Sequence, residues 1–130
     1  MWAKNYIGKK WTQKQDCGYW FRRIQKEQFN REIPIIYNKP NKPFLFLRNA
    51  MKLIKNKQVY FDWKETKKPI EGDAVILAVR TVPHHIGVVC YIDNLLYILH
   101  ATESSGVILS NKLSLELNHF KIIEFLKYGN

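Results

Sequence analysis

The stretch HHIGVVCYIDNLLYILHATESSGVILS, residues 84–110, decides the fold. It holds three short runs rich in aliphatic and β-branched residues: HIGVVCYI, LLYILHA and GVILS. Turn formers separate them at Asp93-Asn94 and across Glu103–Gly106. Working outward, AVILAVR from Ala74 reads as a strand before a turn at Val82-Pro83. FKIIEFLKY near the C-terminus alternates as a closing strand does. N-terminal to Ala74 the pattern changes. In QKQDCGYWFRRIQKEQF, residues 13–29, Trp20, Phe21, Ile24 and the Gln28-Phe29 edge follow the three-and-four spacing of an amphipathic helix. That helix runs from Cys17 to about Phe29, with Asp16 as a good N-cap type. WAKNYIGKKW suits a short helix before a turn at Gly8. PIIYNKPNKP is an extended, turn-rich connection, and FLFLRNAMKLIKNK carries a second helical pattern. DWKETKKPIEGD reads as a polar loop ending in a Gly-Asp turn. Helices first and consecutive short strands afterwards imply a single α+β domain over residues 1–130. Its N-terminal helices pack on an antiparallel sheet of about five strands.

Composition bounds the rest. A chain of 130 residues, 46% apolar and 14% aromatic, buries a sizeable core and is not disordered in character. No apolar run approaches the ~20 residues that span a bilayer. The N-terminus has neither the apolar core nor the small-residue cleavage site of a signal peptide, so synthesis in the cytoplasm is expected. Two cysteines, Cys17 and Cys90, do not make a disulfide framework. The net charge of +10 attracts polyanions without specificity: nucleic acid, anionic lipid or a phosphate-rich cell wall. With no nucleic-acid-binding motif behind it, charge alone leaves a nucleic-acid module as the weakest reading.

The chemistry centres on Cys17. In the first turn of a helix, unpaired N–H groups and the helix dipole favour an anion, and a thiolate is one. A nucleophilic cysteine needs a base, and the base needs a group to orient it. The histidines are His84, His85, His100 and His119. A hairpin about Asp93-Asn94 brings His100 close to His84 and His85, within reach of a helix N-terminus on the sheet. A metal site competes for the same histidines, but no HExxH, no CxxC and no close His-Asp pair is present. Cys90, among Val88, Val89 and Ile92, reads as an inert core thiol. His119 reads as a surface or strand-start residue, and Asp73 as part of its turn.

Asp16-Cys17, Gly72-Asp73, His85-Ile86-Gly87-Val88, His100-Ala101 and Gly106-Val107 occur in an order that resembles the NlpC-type cell-wall peptidases. These are papain-like cysteine peptidases and amidases, and the resemblance spans residues 6–128. Its nearest branch is that of phage-tail peptidases, through YIGKKWTQKQDCGYWFRRIQKEQFNREIP, VPHHIGVV and KIIEFLKY. The resemblance implies Cys17 as nucleophile, His85 as general base and His100 as the residue orienting it, with the Cys17 N–H as an oxyanion donor. It implies no cofactor, and substrate contacts at Trp11, Asp16, Tyr19 and His84. The substrate implied is a peptidoglycan stem peptide, cut between D-glutamate and a diamino acid. The partners implied are phage-tail proteins, and the setting a virion tail or phage-derived particle. A structural tail protein that keeps the fold without turnover is the alternative. The sequence departs from the family in two places: WTQKQ joins Trp11 to Asp16 without the usual glycines, and Trp11 stands where tyrosine is frequent. The phenolic hydroxyl is lost unless Tyr6 or Tyr19 replaces it.

Overall fold

The computed structural model describes residues 1–33, 63–79 and 82–129, with the side chains of residues 82–84 left aside. The second helical pattern, in residues 44–57, and the connection at 34–43 lie outside the described residues. A 3-10 turn, Trp2–Asn5, opens the chain, and helix α1 spans Cys17–Phe29. Among the described residues six strands follow: β1 (Trp63–Thr66), β2 (Ala74–Val79), β3 (Val82–Ile92), β4 (Leu95–Thr102), β5 (Gly106–Ser110) and β6 (Phe120–Tyr128). Helix α2, Lys112–Leu117, lies between β5 and β6. The strands form one antiparallel sheet in the order β1-β6-β2-β3-β4-β5. No helix among the described residues is long and apolar enough to cross a membrane.

Helix α1 begins where the sequence places it. Asp16 has extended backbone and its Oδ1 accepts the N–H of Tyr19 at 3.0 Å, one of the orphan donors of the first turn. The helix ends at Asn30, in the left-handed conformation that asparagine tolerates (φ 53°). The buried stripe of α1 is Cys17, Trp20, Phe21 and Ile24. It packs on Ile86, Val88 and Cys90 of β3, Leu99 and Ala101 of β4 and Val107 of β5. The opposite face of the sheet carries Val75, Leu77, Val89 and Ile98, covered by Leu115 of α2. Cys90 is thus a core thiol and His119 an exposed residue between α2 and β6, as expected.

The Gly-Asp turn ties α1 to the sheet. Gly72 adopts φ +89°, and its N–H donates to Val89 O while its own carbonyl accepts from Gln25 Nε2 and Arg31 Nη1. Asp73 Oδ2 accepts the N–H of Ile70 at 2.8 Å, so its carboxylate serves the turn. At the other edge, Gly8 (φ +91°) and Lys9 face Val107 as a two-against-one bulge: Gly8 N donates to Val107 O, and Val107 N donates to Lys9 O. That bulge carries the chain past the end of β5 towards Trp11. The glycine-free WTQKQ then closes as a tight turn, with Thr12 and Gln15 exchanging two backbone hydrogen bonds of 3.1 Å.

Three expectations are corrected. Among the described residues the sheet has six strands, because Trp63–Thr66, read as polar loop, pairs with β6 from Trp63↔Tyr128 to Thr66↔Phe125. Val82 and Pro83, read as a turn, already belong to β3. Helix α2, capped by Asn111 Oδ1 on the N–H of Ser114, was not foreseen.

Gly87 has a packing reason. A Cβ there would lie 2.6 Å from Ile98 Cγ2, 3.0 Å from Leu99 O and 3.2 Å from His100 Cβ. Overpacking of this kind costs about 1–3 kcal/mol. Gly87→Ala is therefore expected to lower the unfolding free energy by that amount, read as a lower urea midpoint, and to displace His100. An unchanged midpoint would show that β4 gives way freely.

Candidate active site

The fold brings Cys17, His85 and His100 into the lining of one cleft of about 490 Å³. Trp11, the loop from Thr102 to Ser105, Ile108, Ser110, Asn118 and Phe120 complete its wall. The three residues arrive from different elements: Cys17 from the capped start of α1, His85 from β3 and His100 from β4. The β3–β4 ladder runs from Ile92↔Leu95 to Val88↔Leu99, and both histidines lie beyond it. There β3 stays bonded to β2, and β4 to β5. The backbone of β3 on its β4 side is thus open to the helix start, and the Ile86 N–H bonds to the Cys17 sulfur.

The two imidazoles are in direct contact. His85 Nε2 and His100 Nδ1 are 2.7 Å apart, and His100 Nε2 is 2.9 Å from Ser110 Oγ. All three side chains are buried. Phe120 stacks on His85, with ring centroids 4.9 Å apart and planes inclined by 26°, and meets His100 edge-on at 5.4 Å. A ring face against an imidazole restricts its rotation. Burial pushes His100 down to about 4 from the usual 6.5, so at neutral pH it is an uncharged hydrogen-bond partner.

Cys17 departs from expectation. Burial, reinforced by the Asp16 carboxylate, pushes its thiol up to about 12, outweighing the N–H groups of Ile86, Gly18 and Cys17 that favour the thiolate. The sulfur-bearing residue is only 5% exposed. The helix-start argument identified groups that do act on the sulfur, but desolvation is the larger effect. The resting thiol is neutral, in the cleft that the two imidazoles also line.

The other sequence-selected residues divide. Trp11 lines the cleft. Asp16 is buried as the cap of α1. Tyr19 lines a separate groove with Arg22, Arg23 and Lys26, its hydroxyl accepting from Arg23 Nη1 and its ring edge-on to Trp20. The Tyr6 hydroxyl donates to Glu27 and accepts from Gln28, so neither phenol faces Cys17. The side chain of His84 lies outside the described residues; its backbone is the extra residue where the β2–β3 register steps from Leu77↔His85 to Ala78↔Pro83. Among the described residues no group of three or more His, Cys, Asp or Glu is placed to hold a metal ion. Ser110 and Phe120 went unseen in the sequence, where nothing local marks them.

Two measurements check this electrostatic picture. Asp16→Asn keeps a capping side chain and removes the charge, so iodoacetamide should modify Cys17 faster at mildly alkaline pH, with buried Cys90 as internal control. An unchanged rate would show that the carboxylate does not act on the thiol. For His100, the unfolded chain takes up a proton below 6.5 that the folded chain refuses until about 4. Its contribution to stability is therefore complete above 6.5 and lost as pH falls through that window, with a slope approaching about 1.4 kcal/mol per pH unit. Urea unfolding of the wild type and His100→Gln across that range should differ by this slope; parallel curves would contradict it.

No protein-family model matches the sequence, and no curated protein matches it. Among solved structures, an N-acetylmuramoyl-L-alanine amidase from Bacteroides uniformis is 25% identical, over 76% of this chain and 53% of its own, with a TM-score of 0.38. A second structure of an N-acetylmuramoyl-L-alanine amidase from the same organism gives 24% identity, the same coverage and a TM-score of 0.37. The chain spans about half the length of these structures. A likeness at such TM-scores does not establish a shared fold, and the geometry of the cleft has to carry the functional reading.

Proposed function

We propose that the chain is a papain-like cysteine peptidase or amidase that hydrolyses peptidoglycan stem peptides through a thioester. The observation that supports it is the cleft itself: a cysteine at a capped helix N-terminus and an imidazole line it together, and Nε2 of that imidazole lies 2.7 Å from a second, neutral imidazole. With Nε2 of His85 engaged by His100, proton exchange with the thiol falls to Nδ1. The high thiol value favours proton transfer concerted with attack over a resting ion pair. The Sγ–H proton passes to His85 Nδ1 as sulfur bonds the carbonyl carbon, and the oxyanion is met by the Cys17 N–H. Collapse breaks the C–N bond, and Nδ1–H protonates the departing amine. Water, deprotonated by the same nitrogen, then cleaves the thioester to the acid and restores the thiol. Closing the thiol away from bulk water raises its resting value, and substrate in the cleft supplies the electrophile that draws the proton across.

The substrate class rests on the resemblance of the ordered motifs to NlpC-type peptidases. The bond proposed is D-glutamyl to a diamino acid, in a phage or phage-derived tail. Trp11 and the polar Thr102–Ser105 loop, with the Glu103 carboxylate, form a wall suited to a peptide carrying amide and amino groups. Burial of Cys17 favours one second reading, a structural tail protein that retains the fold without turnover. Defined stem peptides incubated with wild type and Cys17→Ala separate the two. The enzyme reading expects amine release by the wild type and none by a Cys17→Ala protein with an unchanged circular dichroism spectrum. Release by the variant would exclude a cysteine nucleophile, and no release by a folded wild type would favour the structural protein.

A further inference from the structure

His100 is bonded at both ring nitrogens, and the second bond has no part in the motifs that marked the site. Two directions of hydrogen bonding satisfy the distances of 2.7 Å and 2.9 Å. In one, His85 Nε2–H donates to His100 Nδ1, and His100 Nε2–H donates to Ser110 Oγ. In the other, Ser110 donates to His100 Nε2, His100 Nδ1–H donates to His85 Nε2, and the proton of neutral His85 sits on Nδ1. Only the first leaves Nδ1 of His85 able to accept the thiol proton, and only the first survives when His85 becomes an imidazolium with both nitrogens protonated.

We infer that Ser110 is a positioning residue: its Oγ accepts the Nε2–H of His100 and so holds the His85–His100 pair in the direction that keeps Nδ1 of His85 basic. The inference rests on the cysteine-hydrolase reading of the cleft. The setting supports it. Ser110 ends β5 opposite Ile98, on the strand face that His100 shares with Ile98, and both Ser110 and His100 are buried. Bulk water is therefore a poor substitute acceptor, and an imidazole N–H left without a partner there is costly. The depressed proton affinity of His100 keeps it neutral, with one proton whose location matters. In Ser110→Ala the cheapest arrangement moves that proton to Nδ1, where His85 Nε2 can accept it. The neutral His85 must then carry its own proton on Nδ1 and ceases to be a base towards Cys17.

The test needs no substrate. Two-bond 1H–15N correlation spectra of the 15N-labelled protein at neutral pH report the tautomer of each histidine. The wild type is expected to show His100 as the Nε2–H form, and Ser110→Ala to convert it to the Nδ1–H form. Iodoacetamide modification of Cys17 should slow about 10–100-fold in Ser110→Ala, the range seen when the hydrogen-bond partner of a metal-bound imidazole is removed. Ser110→Thr, which keeps an oxygen, should retain both tautomer and rate. A wild-type His100 in the Nδ1–H form overturns the inference, as does a Ser110→Ala protein with the wild-type tautomer or undiminished Cys17 reactivity. Absence of peptide hydrolysis by the wild type, with the tautomers as expected, would count against the proposed function instead.

Discussion

β3 and β4 are partners from Ile92↔Leu95 to Val88↔Leu99, yet β3 reaches back to Val82 and β4 runs on to Thr102. Past Leu99 each strand keeps its outer neighbour and gives up its inner one, and the candidate site occupies the fork. An N–H of β3 that would otherwise have met β4 is met by a sulfur, since Ile86 bonds to Cys17. His85 and His100 are the side chains at the fork's mouth, on the same face of the sheet because His100 alternates with Ile98 as His85 does with Val89. Gly87 sits between them in the sense that matters: no Cβ separates the β3 backbone from His100, and the two imidazoles close to 2.7 Å. Had the ladder continued in register to Thr102, the sheet would gain a few hydrogen bonds and have no opening for a helix start.

The electrostatics follow from the same placement. A helix start lodged among strands is a dry place, so the thiol and His100 are both driven towards their neutral forms, by opposite shifts. Asp16 adds to the effect on the thiol while holding the helix start by its cap. The capping group therefore works for the fold and against a resting thiolate. Such a site keeps its thiol protonated, and therefore slow towards oxidants and stray electrophiles.

The parts of the structure legible in the sequence were those set by local signals. Asp16 followed by Trp20, Phe21 and Ile24 is a cap and a stripe, and α1 begins and ends where they put it. The aliphatic runs from Ala74 to Ser110 are strands for the same reason. Trp63–Thr66 was missed because WKET has a lysine-rich, polar setting and becomes a strand only through its pairing with Phe125–Tyr128, some sixty residues away. Helix α2 was missed because Leu113, Leu115 and Leu117 alternate with polar residues, which reads as strand; only Leu115 is buried. In the site, Cys17, His85 and His100 could be named, while Ser110 and Phe120 could not. A serine ending one strand and a phenylalanine opening another acquire a role only once register sets them beside an imidazole. The thiol shows the same limit: its dipole is local and was read, its burial is tertiary and was not.

Phe120 shows how far the site reaches into the remainder of the fold. It opens β6, the strand that joins β1 to the centre of the sheet, and it follows α2 by way of Asn118 and a left-handed His119. Its ring stacks on His85 and meets His100 edge-on, so the exit from α2 determines what lies against the imidazole pair. Asn118 holds that exit, its backbone N–H bonded to Ser114 O and Leu115 O and its Nδ2 to Ser114 O. The short helix therefore does more than cover Leu77 and Val89. It anchors an aromatic wall for the imidazole pair from the face of the sheet opposite α1, and the site is clamped between a helix start on one face and a helix end on the other.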